Sequence, residues 1–328
     1  MNIRKFFPYF SNLILIWLAI LIYLNLPYYS GFIRHETKTA LLILAAGYTL
    51  FGLIFYLASK DPKESKGLLV IGYAAKLFKD LKHKKLTKTL PEEKNAILFT
   101  AVKFFFLPIM LNFFFSNFSA FKNQAANISF SSVFSIIGFN NFVFPLALTL
   151  VFMLDTLIFA FGYAFESSSL KNKIRSVEPT ILGWVVALAC YPPFNDLVSS
   201  FLGWSADDYF NFTSLTATFF LRLGILFFLA VYLSATFALG TKSSNLTNRG
   251  IVKRFPYSII RHPAYISKNL AWWLTVIPLG SLTAVLSMAG WSLIYHLRTI
   301  TEERHLSLDS EYKEYCKKVR YRYIPGIY

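Results

Sequence analysis

Long apolar runs set the pattern of the chain, and their length limits what they can become. From Phe6 to Ile33 the sequence carries no charge across 28 residues, enough for a helix to cross about 30 Å of hydrocarbon. Further runs recur, so that membrane segments are expected near residues 8–29, 39–59, 95–117, 142–165, 179–203, 213–240, 264–278 and 281–297. Lipid offers the backbone no hydrogen-bond partner, so each run must be helical. The pattern predicts an all-α, polytopic integral membrane bundle of about eight membrane helices. The last two runs are short and joined by Pro278-Leu279-Gly280-Ser281, which predicts a C-terminal helical hairpin entering and leaving on one side. Tyr191-Pro192-Pro193 interrupts the fifth run and predicts a break there. A secretory signal would have a shorter apolar core and a small-residue cleavage site, so the first run is expected to be a retained span.

Composition supports that class. Of 328 residues, 55% are hydrophobic and only 15% charged, against about 25% charged in soluble domains. Lys and Arg number 33 against 17 Asp and Glu, a balance that would suggest nucleic acid in a soluble protein. Here the charge follows topology. With the N-terminus inside, 27 of the 33 basic residues fall on inner segments and only Arg34, Lys38 and Lys122 on outer loops, as the positive-inside rule requires. No nucleic-acid partner is expected, and both termini are placed in the cytoplasm. The Phe/Lys/Asn-rich composition leans toward a bacterial inner membrane. Cys190 and Cys316 form neither a disulfide framework nor a Cys/His cluster, so no metal site is expected.

Between Lys60 and Lys94 lie ten Lys and five acids around an apolar insert, residues 67–75. This reads equally as an interfacial helix on anionic lipid or as a solvated basic loop. The sequons at Asn117, Asn127 and Asn211 are too common to indicate a host. Lys103, Asp155 and Arg222 fall within apolar runs, where ionisable groups often serve function. The bland readings are snorkelling, pairing and interhelical hydrogen bonding. Trp272, Trp273 and Trp291 could line a site or belong to an aromatic belt.

The richest chemistry lies in the last part of the chain. Arg249-Gly250-Ile251-Val252 is followed by Pro256-Tyr257, Arg261-His262-Pro263-Ala264-Tyr265, the hairpin, and Arg298-Thr-Ile-Thr-Glu302-Glu303. Pro263 at a helix start puts Arg261 and His262 at an N-terminus, where free NH groups favour a carboxylate or phosphate. Arg298 and Glu302 are four apart and share a helix face. Singly, they read as a surface ion pair; together with Tyr257 and Tyr265 they frame a pocket at the membrane surface.

These motifs, with the tail Tyr312-x-x-Tyr315-x-x-x-Val319 running to Ile324-Pro325, resemble the isoprenylcysteine carboxyl methyltransferase and phospholipid methyltransferase superfamily. The resemblance covers about residues 245–328. It implies a methyltransferase using S-adenosyl-L-methionine on a hydrophobic or lipid-like acceptor at the cytosolic face: an isoprenylcysteine-type carboxylate, a phospholipid amine or a small thiol. Residue by residue, it assigns cofactor binding to Arg249, Gly250, Ile251, Val252, Tyr257, His262, Pro263, Ala264, Tyr265 and Glu302. It implies catalytic roles for Arg298, toward the acceptor, and Glu302. Arg254-Phe255 and Ser267-Lys268 depart from the pattern. It divides the chain into a transmembrane bundle, 1–240, and a cofactor-binding module, 241–328. The tail is also similar to that of sterol C14 reductases, which implies NADPH as the rival cofactor. Asp155, Arg222 and the broken run keep a transporter as a second rival.

Overall fold

The computed structural model of the chain describes residues 6–58, 65–128, 133–203 and 213–327. Arg4, Lys5, the start of the basic loop, the Asn211 sequon and Tyr328 lie outside them. The described chain is mainly helical and divides into two compact units, residues 1–115 and 116–328.

The first unit contains α1 (Phe7–Asn25), α2 (Pro27–Phe32), α3 (His35–Ala58), α4 (Lys66–Lys82) and most of α5 (Pro91–Ala126). Pro8 and Pro27 stand in the first turns of α1 and α2, where a missing N–H costs nothing. Ala19, Ile20 and Tyr23 of α1 pack with Leu41 and Ala45 of α3. Several polar groups in this apolar setting find partners across the unit. The Tyr23 hydroxyl donates to the Phe104 carbonyl at 2.7 Å, and the Asn112 side chain accepts from Arg34 N and Thr37 Oγ1 at 2.8 and 3.2 Å. The apolar insert in the basic loop forms part of α4. Ser65 caps this helix by accepting from Leu68 N at 3.1 Å, and it packs against α1 while leaving Phe78 and Leu81 exposed.

The second unit begins in the last turns of α5. There α6 (Ile136–Gly138) runs through a π turn at Phe139–Val143 into α7 (Phe144–Ala164). Then come β1 (Ser176–Val177), α8 (Ile181–Leu188), α9 (Phe194–Leu202), α10 (Leu215–Leu239), β2 (Thr247–Asn248), α11 (Pro263–Val276), α12 (Leu282–Leu306) and α13 (Ser310–Lys318). Phe144 and Leu148 of α7 pack with Ile225, Leu229 and Tyr232 of α10 and Ala271 of α11. β1 and β2 pair antiparallel, Ser176 opposite Asn248 and Val177 opposite Thr247. This two-residue ladder ties the segment after α7 to the segment after α10.

Among the described residues, five helical stretches are long and apolar enough to cross a membrane: Phe7–Asn25, His35–Ile54, Pro91–Ala126, Ile136–Ala164 and Leu215–Lys242. They coincide with five of the eight predicted runs. The other three are shorter or more polar. The fifth run folds as α8 and α9, separated by the predicted break at Tyr191-Pro192-Pro193. The last two form the predicted hairpin, with Gly280 in the left-handed region at φ +57° in the turn. At 1.5 Å per residue, the 14 residues of α11 reach about 21 Å, short of the hydrocarbon thickness. α12 has the length, yet its last turns carry Arg298, Glu302, Glu303 and Arg304.

Candidate functional site

A cavity of about 1010 Å³, its open mouth included, lies in the second unit. Residues of α7, α8, α10, α11 and α12 and of the segments between them form its wall. α12 presents Tyr295, Arg298, Thr301, Glu302 and His305, a set spaced near the helical period and therefore on one face. α11 contributes Ala264, Tyr265 and Lys268 just after His262, and α10 contributes Tyr232 and Thr236. Glu178, Gly183 and Tyr191 enter from around α8, and Ser244 to Thr247 from the segment pinned by the β ladder.

Arg298 and Glu302 share the predicted face, but Tyr265 stands between them. The Tyr265 hydroxyl donates to Glu302 Oε2 at 2.7 Å, and its ring centroid lies 5.1 Å from the Arg298 guanidinium. Tyr295 and Tyr191 place further rings at 5.4 and 5.9 Å. Arg298 is buried and donates through Nη2 to Asn245 Oδ1 at 3.0 Å. A guanidinium among three tyrosine faces is held by ring quadrupoles without a carboxylate, which leaves Glu302 to Tyr265. The surface ion pair expected as the bland reading is not what forms.

His262 and Arg261 are engaged by the protein itself. His262 Nε2 lies 3.0 Å from Glu303 Oε1, Arg261 Nε makes an ion-pair contact with the same oxygen at 2.9 Å, and Arg322 donates to Glu303 Oε2 at 2.6 Å. The Arg261 and His262 amides donate to the Tyr321 and Arg322 carbonyls, each at 3.0 Å. The anion expected at this helix start is therefore the chain's own Glu303, and the C-terminal segment covers the NH groups beside it. Burial raises the Glu303 carboxyl, but hydrogen bonds from His262 and Arg322 outweigh it and hold it down at about 2. The other side of the His262 ring stacks on Tyr265 at 5.6 Å, nearly parallel, so Glu303 fixes the wall that carries Tyr265.

Glu178 is the second carboxylate, with Glu302, that faces the cavity. Glu178 accepts from Thr180 N at 3.0 Å and from Arg304 Nη2 at 2.9 Å through Oε1. Its Oε2 is buried with no partner among the described residues. His305 meets Ser176 Oγ at 2.8 Å, and burial lowers its imidazole from the ordinary value. Burial, with the Glu302 charge, pushes the Tyr257 phenol well above its usual range. Tyr257 is anchored through its backbone carbonyl, which accepts from the Tyr315 hydroxyl at 2.6 Å.

Of the residues singled out from the sequence, Tyr257, His262, Ala264, Tyr265, Arg298 and Glu302 line this cavity. Arg249, Gly250, Ile251, Val252 and Pro263 do not. Arg249 is buried and donates to the Asn172 carbonyl at 3.4 Å, and Ile251 packs on the Tyr312, Tyr315 and Val319 cluster of the tail. Asp155 bridges helices behind the wall, accepting from the Tyr232 and Thr236 hydroxyls at 2.7 Å each. Arg222 donates to the Asn140 carbonyl at 2.5 Å and lies over the Phe144 ring, and Lys103 belongs to the first unit. Trp273 donates to Ser292 across the hairpin and Trp291 packs in its core. Among the described residues, no group of three His, Cys, Asp or Glu side chains could hold a metal.

Glu178, Tyr191, Asn245 and His305 were not singled out for the site. Only His305 had a readable signal, standing three residues beyond Glu302 and seven beyond Arg298 on the same helix face. The others reach the cavity through the β ladder and the break after α8, which no local pattern announces.

A polytopic helical membrane protein with a polar cavity beneath a short hairpin is the class that fold and site define. Residues 215–309 match the model of the phospholipid methyltransferase family, which lies within the superfamily that the C-terminal motifs resemble. The match supports a membrane methyltransferase acting on lipid-like molecules. It spans α10, both hairpin helices and the start of the charged tail, and it includes the six cavity-lining residues named above. No curated protein matches the chain.

Proposed function

We propose that this cavity binds S-adenosyl-L-methionine and that the protein methylates a hydrophobic or lipid-like acceptor. The observation that carries this reading is Arg298, Glu302, Tyr265 and Glu178 gathered in one cavity within and beside the family-matched segment. The donor set suits a zwitterionic nucleoside cofactor. Glu178 Oε2, buried and without a partner, suits an amino or hydroxyl donor, since an unpaired buried acceptor costs about 1–3 kcal/mol until it is met. Glu302 and Tyr257 complete the polar edge, and the Tyr257 ring suits a sulfonium, which is attracted to ring quadrupoles like any cation.

Bound there, the cofactor would supply an electrophilic methyl group for an in-line displacement. The task left to the chain is alignment and exclusion of water. Tyr265, clamped between His262 and Glu302, fixes the wall. Arg298, positively charged yet without a carboxylate partner in hydrogen-bond contact, would orient the acceptor. The acceptor chain would arrive from lipid, and the motifs would face the cytosol as the distribution of Lys and Arg predicts.

Calorimetry on detergent-purified protein tests this. S-adenosylhomocysteine should bind in the micromolar range, and Glu302→Ala should weaken it at least tenfold. Binding of NADPH instead would replace the reading with a reductase. Binding of neither would remove the cofactor assignment.

A further inference from the structure

A second polar site lies outside the cavity, where α7 and α10 end together. The pairing of these ends is fixed by close approach: a Cβ on Gly162 would fall on the Ser243 carbonyl oxygen. Just beyond, Gly250 adopts φ +91° and two cationic heads converge on it. The position a Cβ would take lies 2.9 Å from Arg175 Nη2 and 3.2 Å from Lys242 Nζ. Two like charges brought to one point repel unless something negative joins them. The nearby acids make no ion pair with Lys242 itself. Asp309 and Glu311 both engage Arg175 through Nη1 at 2.8 Å, and Glu311 also takes Lys253 at 3.1 Å. The Lys242 ammonium makes no hydrogen bond or ion pair among the described residues, and neither does Arg175 Nη2.

Helix capping does not account for Lys242 either. Arg254 already covers the end of α10, donating to the Phe237 and Ala238 carbonyls at 2.8 to 3.0 Å. The missing Cβ of Gly250 leaves the backbone open between the two cationic heads. Lys242 is the last residue of a helical stretch long and apolar enough to cross the bilayer, which puts its ammonium at the depth of lipid phosphates.

We propose that Lys242 and Arg175 Nη2, converging over Gly250, form a binding site for the phosphodiester of an anionic membrane phospholipid. The site is separate from the cavity and does not rest on the methyltransferase reading. Bound lipid would tie the loop after α7 to the loop after α10, the two segments that carry Glu178 and Asn245 into the cavity wall.

Native mass spectrometry on detergent-purified protein titrated with phosphatidylglycerol or phosphatidylcholine tests the proposal. Inorganic phosphate is titrated in parallel by calorimetry. Wild-type protein should retain phosphatidylglycerol in preference to phosphatidylcholine. Lys242→Gln should weaken phosphatidylglycerol binding roughly fivefold, the effect of one cation at the lipid surface. Lys242→Arg should restore it, and Lys88→Gln, an equal loss of charge on the exposed basic loop, should leave it unchanged. Phosphate binding that is lost in Lys242→Gln, with no lipid preference, would keep the anion site and assign it to a soluble phosphate. Equal phosphatidylglycerol binding by Lys242→Gln and wild type, or an equal loss in Lys88→Gln, would overturn the proposal. S-adenosylhomocysteine binding on the same samples reports on the cavity separately.

Discussion

Glu303 decides more of the site than its position beside Glu302 suggests. One carboxylate gathers His262, Arg261 and Arg322, from the start of α11 and from the tail, and so fixes the ring that stacks on Tyr265. Its ordinary value is 4.5 and the folded chain holds it near 2. A carboxyl lowered by folding stabilises the folded state fully above its unfolded value and loses that contribution as pH falls toward its folded one. Glu303→Gln should therefore cost about 1.5–3 kcal/mol at pH 7, the range for hydrogen bonds to a charged group. The deficit relative to wild type should shrink between about pH 4.5 and 2. Thermal unfolding of both proteins in detergent across that range checks it, and a deficit independent of pH would remove the electrostatic explanation.

Among the helices, close approach rather than hydrophobic pattern fixes the partners. α7 and α10 are both apolar around much of their circumference, so the sequence leaves their rotation undetermined. Gly162 sets it. Without a side chain there, α7 lies directly against the backbone at Ser243. Gly162→Ala drives a methyl into a carbonyl that cannot rotate away, an overpacking that costs about 1–3 kcal/mol. The expected outcome is a lower melting temperature and weaker S-adenosylhomocysteine binding together, since Ser244 and Asn245 follow directly in the cavity wall. Unchanged stability would mean that the approach is looser than the geometry indicates. The Asp155 bridge to Tyr232 and Thr236 joins the same helices. It accounts for a buried acid that the sequence also offered to a transporter.

Across the whole molecule, charge and hydropathy predict an orientation: the basic loop around Lys88 and the C-terminal tail on the inner face. Green fluorescent protein joined at either place should fluoresce in cells, and alkaline phosphatase should be inactive at both. The reverse result at either place would overturn the topology. The sequence by itself determined the class of the protein. Runs above 20 apolar residues have one solution in lipid, and the hairpin turn at Pro278 to Ser281 is punctuated by residues of restricted or permissive backbone. It also named six lining residues, because the motif positions fall within or beside the hairpin. The tertiary structure alone decided how those residues are used. Local pattern placed Arg298 beside Glu302, whereas packing inserted Tyr265 between them. It also filled the start of α11 with Glu303 and brought Glu178, Tyr191 and Asn245 to the wall. Those three lie from 53 to 120 positions before Arg298, and contacts over such separations are set by long-range packing, on which a window of neighbouring residues carries no information.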